Sequence, residues 1–238
     1  MIPLYHDFTD ERVLVFGGGP VGARKARRFA AEAAVTVVSP DFEAADYGDA
    51  ELVRAAPSPA EVRDWVDRVE PSLVVAATDD DAVNAAAADA ARAVGALVNR
   101  ADRSDADADD DGERGDDEHG ESGGEGHPDR GARDVVVPAT VEDGDVRVAV
   151  STGGASPALA KHLRERIEAD IAGAGAMADL TGRLRRELRD SDYTAAERRD
   201  AVRAVVRSER VWKALRTGES KARQEADRVI RNTVGGGR

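Results

Sequence analysis

The run Arg12 to Ala26, R-V-L-V-F-G-G-G-P-V-G-A-R-K-A, narrows the fold of this chain more than any other stretch. Val13 to Phe16 are continuously apolar, the pattern of a parallel strand covered on both faces. Gly17, Gly19 and Gly22 follow at G-x-G-x-x-G spacing, with Gly18 between them, and a helical run from Val21 to Ala31 comes next. In such a strand–turn–helix unit one glycine permits the tight turn, the second lets a pyrophosphate approach the backbone, and the third lets the helix pack close on the strand. The helix N-terminus then presents unpaired N–H groups to the anion. The stretch therefore predicts a dinucleotide site in an α/β domain; the competing reading is a glycine-rich turn with no ligand.

The pattern continues as alternating strands and helices. Val35 to Val38 reads as the second strand, ending at Ser39-Pro40-Asp41. An acid near this tip accepts the ribose hydroxyls of NAD in many dinucleotide folds, and Asp41 is the candidate; the tip residue itself is Ser39. No arginine is expected at this tip to receive a 2′-phosphate, which tilts the cofactor toward NAD. Strands are expected at Leu52 to Ala55, Leu73 to Ala77 and Ala96 to Val98, with helices through Trp65 and from Ala82 to Val94. Thr78 and Asp79 fall at the carboxyl edge, where ligands gather in doubly wound sheets.

After residue 102 the composition changes. Residues 103–133 contain only Ala106, Ala108 and Ala132 as apolar positions, and such a segment cannot bury enough surface to offset its ordering entropy, so it is expected to be disordered. It holds His119 and His127 among its acids, which raises the question of metal collection. It also explains the charge of the chain: of the formal −13, residues 101–134 carry −10, leaving −3 for the rest. With no strongly basic domain, nucleic acid is not an expected partner. The chain has no cysteine, which excludes disulfides, zinc–thiolate sites, iron–sulfur clusters and thiol catalysis. No apolar run reaches membrane length and the acidic N-terminus is unlike a signal peptide, so the expected location is cytoplasmic.

Beyond the acidic segment, Asp134 to Pro138 and Asp145 to Val150 read as short strands around a hairpin turn at Glu142-Asp143-Gly144. A second glycine-rich turn, Ser151-Thr152-Gly153-Gly154-Ala155-Ser156-Pro157, follows, with Ser156 suited to cap a helix and Pro157 to its first position. From Ala158 to about Arg231 the spacing of apolar residues, Leu159, Leu163 and Ile167 among them, is helical, and the glycines at 235–237 read as a frayed end. Near the N-terminus Tyr5 and Phe8 are expected to pack on the first strand, while His6 is more simply structural than a ligand.

Five motifs occur in one order: G-G-G-P-V-G-A-R-K, V-V-S-P, A-A-T-D-D-D-A-V-N, V-N-R-A-D and S-T-G-G-A-S-P-A-L-A-K-H-L-R-E-R-I-E. Together they resemble the precorrin-2 dehydrogenase/sirohydrochlorin ferrochelatase family, the dehydrogenase–chelatase module of siroheme synthase. The resemblance implies NAD-dependent oxidation of precorrin-2 to sirohydrochlorin and leaves open whether insertion of ferrous iron follows. It also implies an α/β fold: a Rossmann-like parallel sheet domain (residues 1–102), the acidic insertion (103–133), a short-strand dimerisation region (134–170) and a C-terminal helical domain (171–238), assembled as a homodimer.

By motif, the resemblance places Pro20 and Val21 beside the glycines at the cofactor, Pro40 and Asp41 at the second strand tip, and Thr78 and Asp79 in the same crevice. It matches the aspartate of the N-x-x-D motif to Asp102, the expected catalytic carboxylate, and Ser156 to a serine phosphorylated in one bifunctional member. The polycarboxylate tetrapyrrole calls for local positive charge and anion-binding turns. The candidates are Arg100, the turn residues Ser151, Thr152, Gly153, Gly154 and Ser156, and Lys161 and Arg164 on one helix face. The sequence departs from the family where the acidic insertion follows Asp102 directly, so chelation is the activity left most open. The non-enzymatic alternative is an NAD-binding regulatory module, which has no need of N-R-A-D or of the second glycine-rich turn.

Overall fold

The computed structural model describes residues 2–101, 131–153 and 155–234. Asp102, most of the acidic segment with His119 and His127, Gly154 and the glycines at 235–237 lie outside the described residues. The chain divides into two compact units, Met1–Val137 and Pro138–Arg238.

The first unit alternates strands and helices: β1 (Arg12–Phe16), α1 (Pro20–Ala30), β2 (Ala34–Ser39), β3 (Glu51–Arg54), α2 (Val62–Val69), β4 (Leu73–Ala76), α3 (Asp81–Val94) and β5 (Leu97–Arg100). The five strands form one parallel sheet in the order β3-β2-β1-β4-β5. The apolar run of β1 divides between two cores. Val13 and Val15 pack with Ala23, Ala26 and Phe29 of α1, whereas Leu14 and Phe16 pack with Val62 and Val66 of α2 and the alanines of α3. Both faces of the strand are thus covered, which is why its sequence does not alternate. Chain order reverses between β1 and β4, since β1 pairs with β2 on one side and β4 on the other. In such sheets the crevice at the carboxyl ends of these strands is where ligands bind.

Two local expectations are corrected. Tyr5 is exposed at 72 %, and only Phe8 reaches the core, edge-on to Phe29 at 5.2 Å. Lys25 of α1 is buried. The strand expected over Asp134 to Pro138 is an irregular extension beside β5: Val98 donates to the Arg133 carbonyl at 3.0 Å and Val135 donates to that of Val98 at 2.8 Å. Arg92 clamps Asp134 through two guanidinium nitrogens at 2.9 and 3.2 Å, fixing this segment on unit 1 by a long-range ion pair.

The second unit opens with an antiparallel pair, β6 (Ala139–Asp143) and β7 (Val146–Val150). Its turn residues are Gly144 and Asp145, one step later than expected, with Gly144 at φ +57°. Helices α4 (Pro157–Ile171), α5 (Ala174–Arg189), α6 (Ala195–Val206), α7 (Glu209–Leu215) and α8 (Glu219–Val234) follow. Leu180, Leu184, Val205, Val211, Ala222 and Ala226 form the buried core joining the last four helices. Helix α4 buries only Ala160 among its described residues, and Leu159 of its apolar stripe is 48 % exposed. Among the described residues no helix is long and apolar enough to cross a membrane.

Candidate functional site

The glycine turn sits where the carboxyl ends of three strands meet. Gly17 donates to the Val38 carbonyl of β2 at 3.0 Å, while Ala77, just past β4, donates to the Phe16 carbonyl at 2.9 Å. Gly17 has φ +112°, and a Cβ there would overlap the Ala77 carbonyl, so both backbone conformation and close approach demand glycine. Gly22 lies against the Gly17 carbonyl, bringing α1 down onto the turn. The space beside Gly19 is open, with no heavy atom of another segment within 4 Å of a Cβ built there.

Gly19 is also the N-cap of α1, in extended conformation, with no side-chain capping bond; Pro20 occupies the first turn and no acid does. Donors of that turn are thus left for an anion, and no local carboxylate repels it. A dinucleotide pyrophosphate fits this cradle: Gly17 and Gly22 shape it, Gly18 packs against the β2 tip, Gly19 gives backbone access, and Pro20 and Val21 begin the helix.

Neighbouring segments hold the turn in shape. The buried Tyr47 hydroxyl donates to the Gly18 carbonyl, which also accepts from the Glu43 N–H at 3.2 Å. Burial pushes the Tyr47 phenol above its usual pKa, so it stays a donor. The Phe42 and Tyr47 rings meet edge-to-face at 5.7 Å. On the β4 side, Asn84 of α3, itself fully buried, accepts from the Thr78 N–H at 3.1 Å and from the Thr78 hydroxyl at 2.8 Å. Its amide nitrogen donates to the Thr78 carbonyl at 2.7 Å. Asp80 caps α3 by accepting from Ala82 at 2.8 Å and Val83 at 3.2 Å. Thr78 is half-buried and Asp79 exposed at this edge.

At the tip of β2, Ser39 is buried and Pro40 and Asp41 are exposed. Here the expectation that no arginine attends the tip is corrected. Parallel pairing sets Ser39 opposite Arg54 of β3, and the Arg54 guanidinium donates to Asp41 Oδ1 at 2.6 Å and to the Pro40 carbonyl at 3.0 Å.

At the end of β5, Asn99 is buried and its amide donates to the Val135 carbonyl at 2.9 Å, while Arg100 is half-buried. In the second unit, the Ser151–Ser156 turn is tied by its own hydroxyls. Ser151 Oγ accepts from Gly153, Thr152 Oγ1 accepts from the Ser156 N–H, each at 3.2 Å, and Gly153 has φ +68°. Ser156 caps α4 through Leu159 at 3.3 Å, as expected from the sequence. Lys161 is half-buried on α4, and Arg164 pairs with Glu168 at 3.3 Å. The anticipated substrate residues thus divide between the two units. Among the described residues, no group of three or more acidic or histidine side chains is arranged to hold a metal ion.

Three contributors escape a linear reading. Asn84 leaves a signal, an amide on the otherwise apolar face of an alanine-rich helix. Tyr47 and Arg54 leave none, because their roles depend on a loop closing under the glycine turn and on strand pairing.

Comparison with known proteins agrees with this division. A family described as putative NAD(P)-binding matches residues 4–108, and one described as sirohaem biosynthesis protein central matches residues 143–170. The siroheme synthase of Methylococcus capsulatus is 36 % identical over 194 residues, which cover 80 % of this chain and 35 % of that protein. The precorrin-2 dehydrogenase of Methanosarcina barkeri is 27 % identical over 238 residues, covering 96 % of this chain and 93 % of its own. The chain therefore spans less than half the length of the siroheme synthases it matches, and nearly all of the precorrin-2 dehydrogenase. Among solved structures, that of SirC, precorrin-2 dehydrogenase, superposes with a TM-score of 0.59 at 20 % identity, covering 96 % of this chain and 98 % of that one.

Proposed function

From its similarity to siroheme synthases and to a precorrin-2 dehydrogenase, we propose that the chain belongs to the precorrin-2 dehydrogenase/sirohydrochlorin ferrochelatase family and oxidises precorrin-2 to sirohydrochlorin with NAD, in siroheme biosynthesis. The observation that carries this reading is the uncapped start of α1 behind Gly17 and Gly19, set at the point where strand order reverses. Bound there, NAD supplies the hydride acceptor.

The chain supplies positioning and proton transfer. Gly17, Gly18, Gly19, Pro20, Val21 and Gly22 hold the pyrophosphate, Ser39, Pro40 and Asp41 the ribose side, and Thr78 and Asp79 the crevice wall. The bond between Thr78 and Asn84 keeps that wall rigid. The carbon that loses hydride also requires a proton acceptor nearby, and Asp102, two residues past the end of β5, is the proposed base. Arg100 beside it, with Ser151, Thr152, Gly153, Gly154, Ser156, Lys161 and Arg164, is proposed to hold the substrate carboxylates. The uncapped α1 start is reserved for the cofactor, whereas the α4 start is capped by Ser156 and offers its turn backbone instead.

Insertion of ferrous iron, as substrate, is the second proposed activity, since pyrrole N–H protons must leave as the metal enters and the same carboxylate can accept them. A homodimer working in the cytoplasm completes the proposal. An anaerobic optical assay with precorrin-2 and NAD, repeated with ferrous iron and with Asp102→Ala, tests it. Oxidation and metal uptake both lost in the variant are the expected result. Oxidation without metal uptake would confine the protein to the dehydrogenase step, and no oxidation would leave an NAD-binding regulatory module.

A further inference from the structure

The Asp41–Arg54 pair lies beside the pyrophosphate cradle. A Cβ on Gly18 would come to 2.5 Å from the Asp41 carbonyl and 2.8 Å from the Phe42 ring, so the β2 tip and the glycine turn are in contact. From that tip the Asp41 carboxylate and the Arg54 guanidinium emerge together, 2.6 Å apart and largely solvent-exposed, with the guanidinium 6.0 Å from the centre of the Phe42 ring. In dinucleotide folds this is the place of the adenosine ribose, where a carboxylate accepts from the 2′- and 3′-hydroxyls and an arginine receives a 2′-phosphate. This chain carries both groups, bonded to each other.

The energetics make the pair a selector rather than a support. Exposed ion pairs contribute little to stability, so Arg54 is not locked to its partner by the fold. While Asp41 is present, its charge opposes a 2′-phosphate and engages the guanidinium. Without it, Arg54 retains its bond to the Pro40 carbonyl at 3.0 Å and stays at the tip as an uncompensated cation. We propose that Arg54 is a specificity-determining residue of this site: held by Asp41 it enforces binding of NAD, and released it receives the 2′-phosphate of NADP. The inference rests on the dinucleotide reading above and goes beyond it by assigning the basis of cofactor choice to a residue of β3.

The test is calorimetric titration of the full chain with NAD and with NADP, for the unaltered protein, Asp41→Ala, Arg54→Gln and the double variant. The unaltered chain is expected to prefer NAD. Asp41→Ala should weaken NAD and tighten NADP, each by about tenfold, the effect of one charge-assisted hydrogen bond. The gain for NADP should vanish in the double variant. Because both side chains are exposed, circular dichroism and melting should be unchanged in all four. An unchanged NAD-to-NADP ratio in Asp41→Ala, or an NADP gain that survives loss of Arg54, would overturn the inference. Binding of neither dinucleotide by the unaltered chain would overturn it together with the proposed function. The expected selectivity without oxidation of precorrin-2 would uphold it while refuting that function.

Discussion

At the scale of single residues, the site depends on backbone carbonyls and amides whose direction is set by side chains outside the motif. The Gly18 carbonyl points inward because Tyr47 and Glu43 donate to it from a loop nearly thirty residues on, the Tyr47 hydroxyl being 29 positions away. Removing that hydroxyl in Tyr47→Phe should cost about 1 kcal/mol in denaturant unfolding, because the Glu43 donor remains and no cavity opens. Asn84 is the more exposed to failure. Its amide joins the N–H, hydroxyl and carbonyl of Thr78, so Asn84→Ala leaves several half-buried groups to find water or strain. A loss of about 2–3 kcal/mol is expected, read as a lower unfolding midpoint at unchanged m-value. The same variant should weaken NAD binding if Thr78 forms the crevice wall as proposed.

At the scale of elements, helix starts are handled in contrasting ways. The start of α1 is uncapped, α3 is capped by Asp80 and α6 has a capping box between Thr194 and Glu197. The start of α5 is capped from a distance: Asp143, at the end of β6, accepts from the N–H groups of Gly173 and Ala174, the latter at 2.9 Å. A carboxylate there satisfies two otherwise unpaired donors and complements the helix dipole. Asp143→Ala should therefore destabilise the second unit by about 1–2 kcal/mol, measurable by thermal unfolding. The sequence pattern made Asp143 a turn residue. Its cap role is invisible locally because the helix it serves begins some thirty residues later.

At the scale of the whole chain, two units carry separate cores, one built on a parallel sheet and one on helices. In the helical unit, Arg223 of α8 grips Glu187 of α5 through both terminal guanidinium nitrogens, at 2.7 and 2.5 Å, and Arg183 pairs with Glu219 at 2.6 Å. The Arg223 hydrogen bonds hold the Glu187 carboxyl below its ordinary value of 4.5. A lowered folded-state value means that the native chain releases this proton more readily than the unfolded one. The pair's contribution is thus present above the ordinary value and lost as pH falls through the lowered one. Stability of the unaltered chain relative to Glu187→Gln should be constant at pH values well above 4.5 and shrink as pH falls below it. The change should be small, because both groups are about half exposed.

The chain's local pattern is enough to specify the parallel sheet, the glycine turn and the helix that follows it, because each is written in local periodicity and in residues with few alternatives. A doubly covered strand must be apolar throughout, and only glycine can take φ +112° against a carbonyl. It also determined the Ser156 cap, three residues from the Leu159 N–H it accepts from. Tertiary structure alone decided what attends the turn. Strand pairing brings Arg54 to the β2 tip, a loop brings Tyr47 under Gly18, and the Arg92–Asp134 pair holds the segment after the acidic stretch beside β5. Each of these contacts joins residues 13 to 42 positions apart, and no helical or strand period links such positions. Only the closed fold gives them a common neighbourhood.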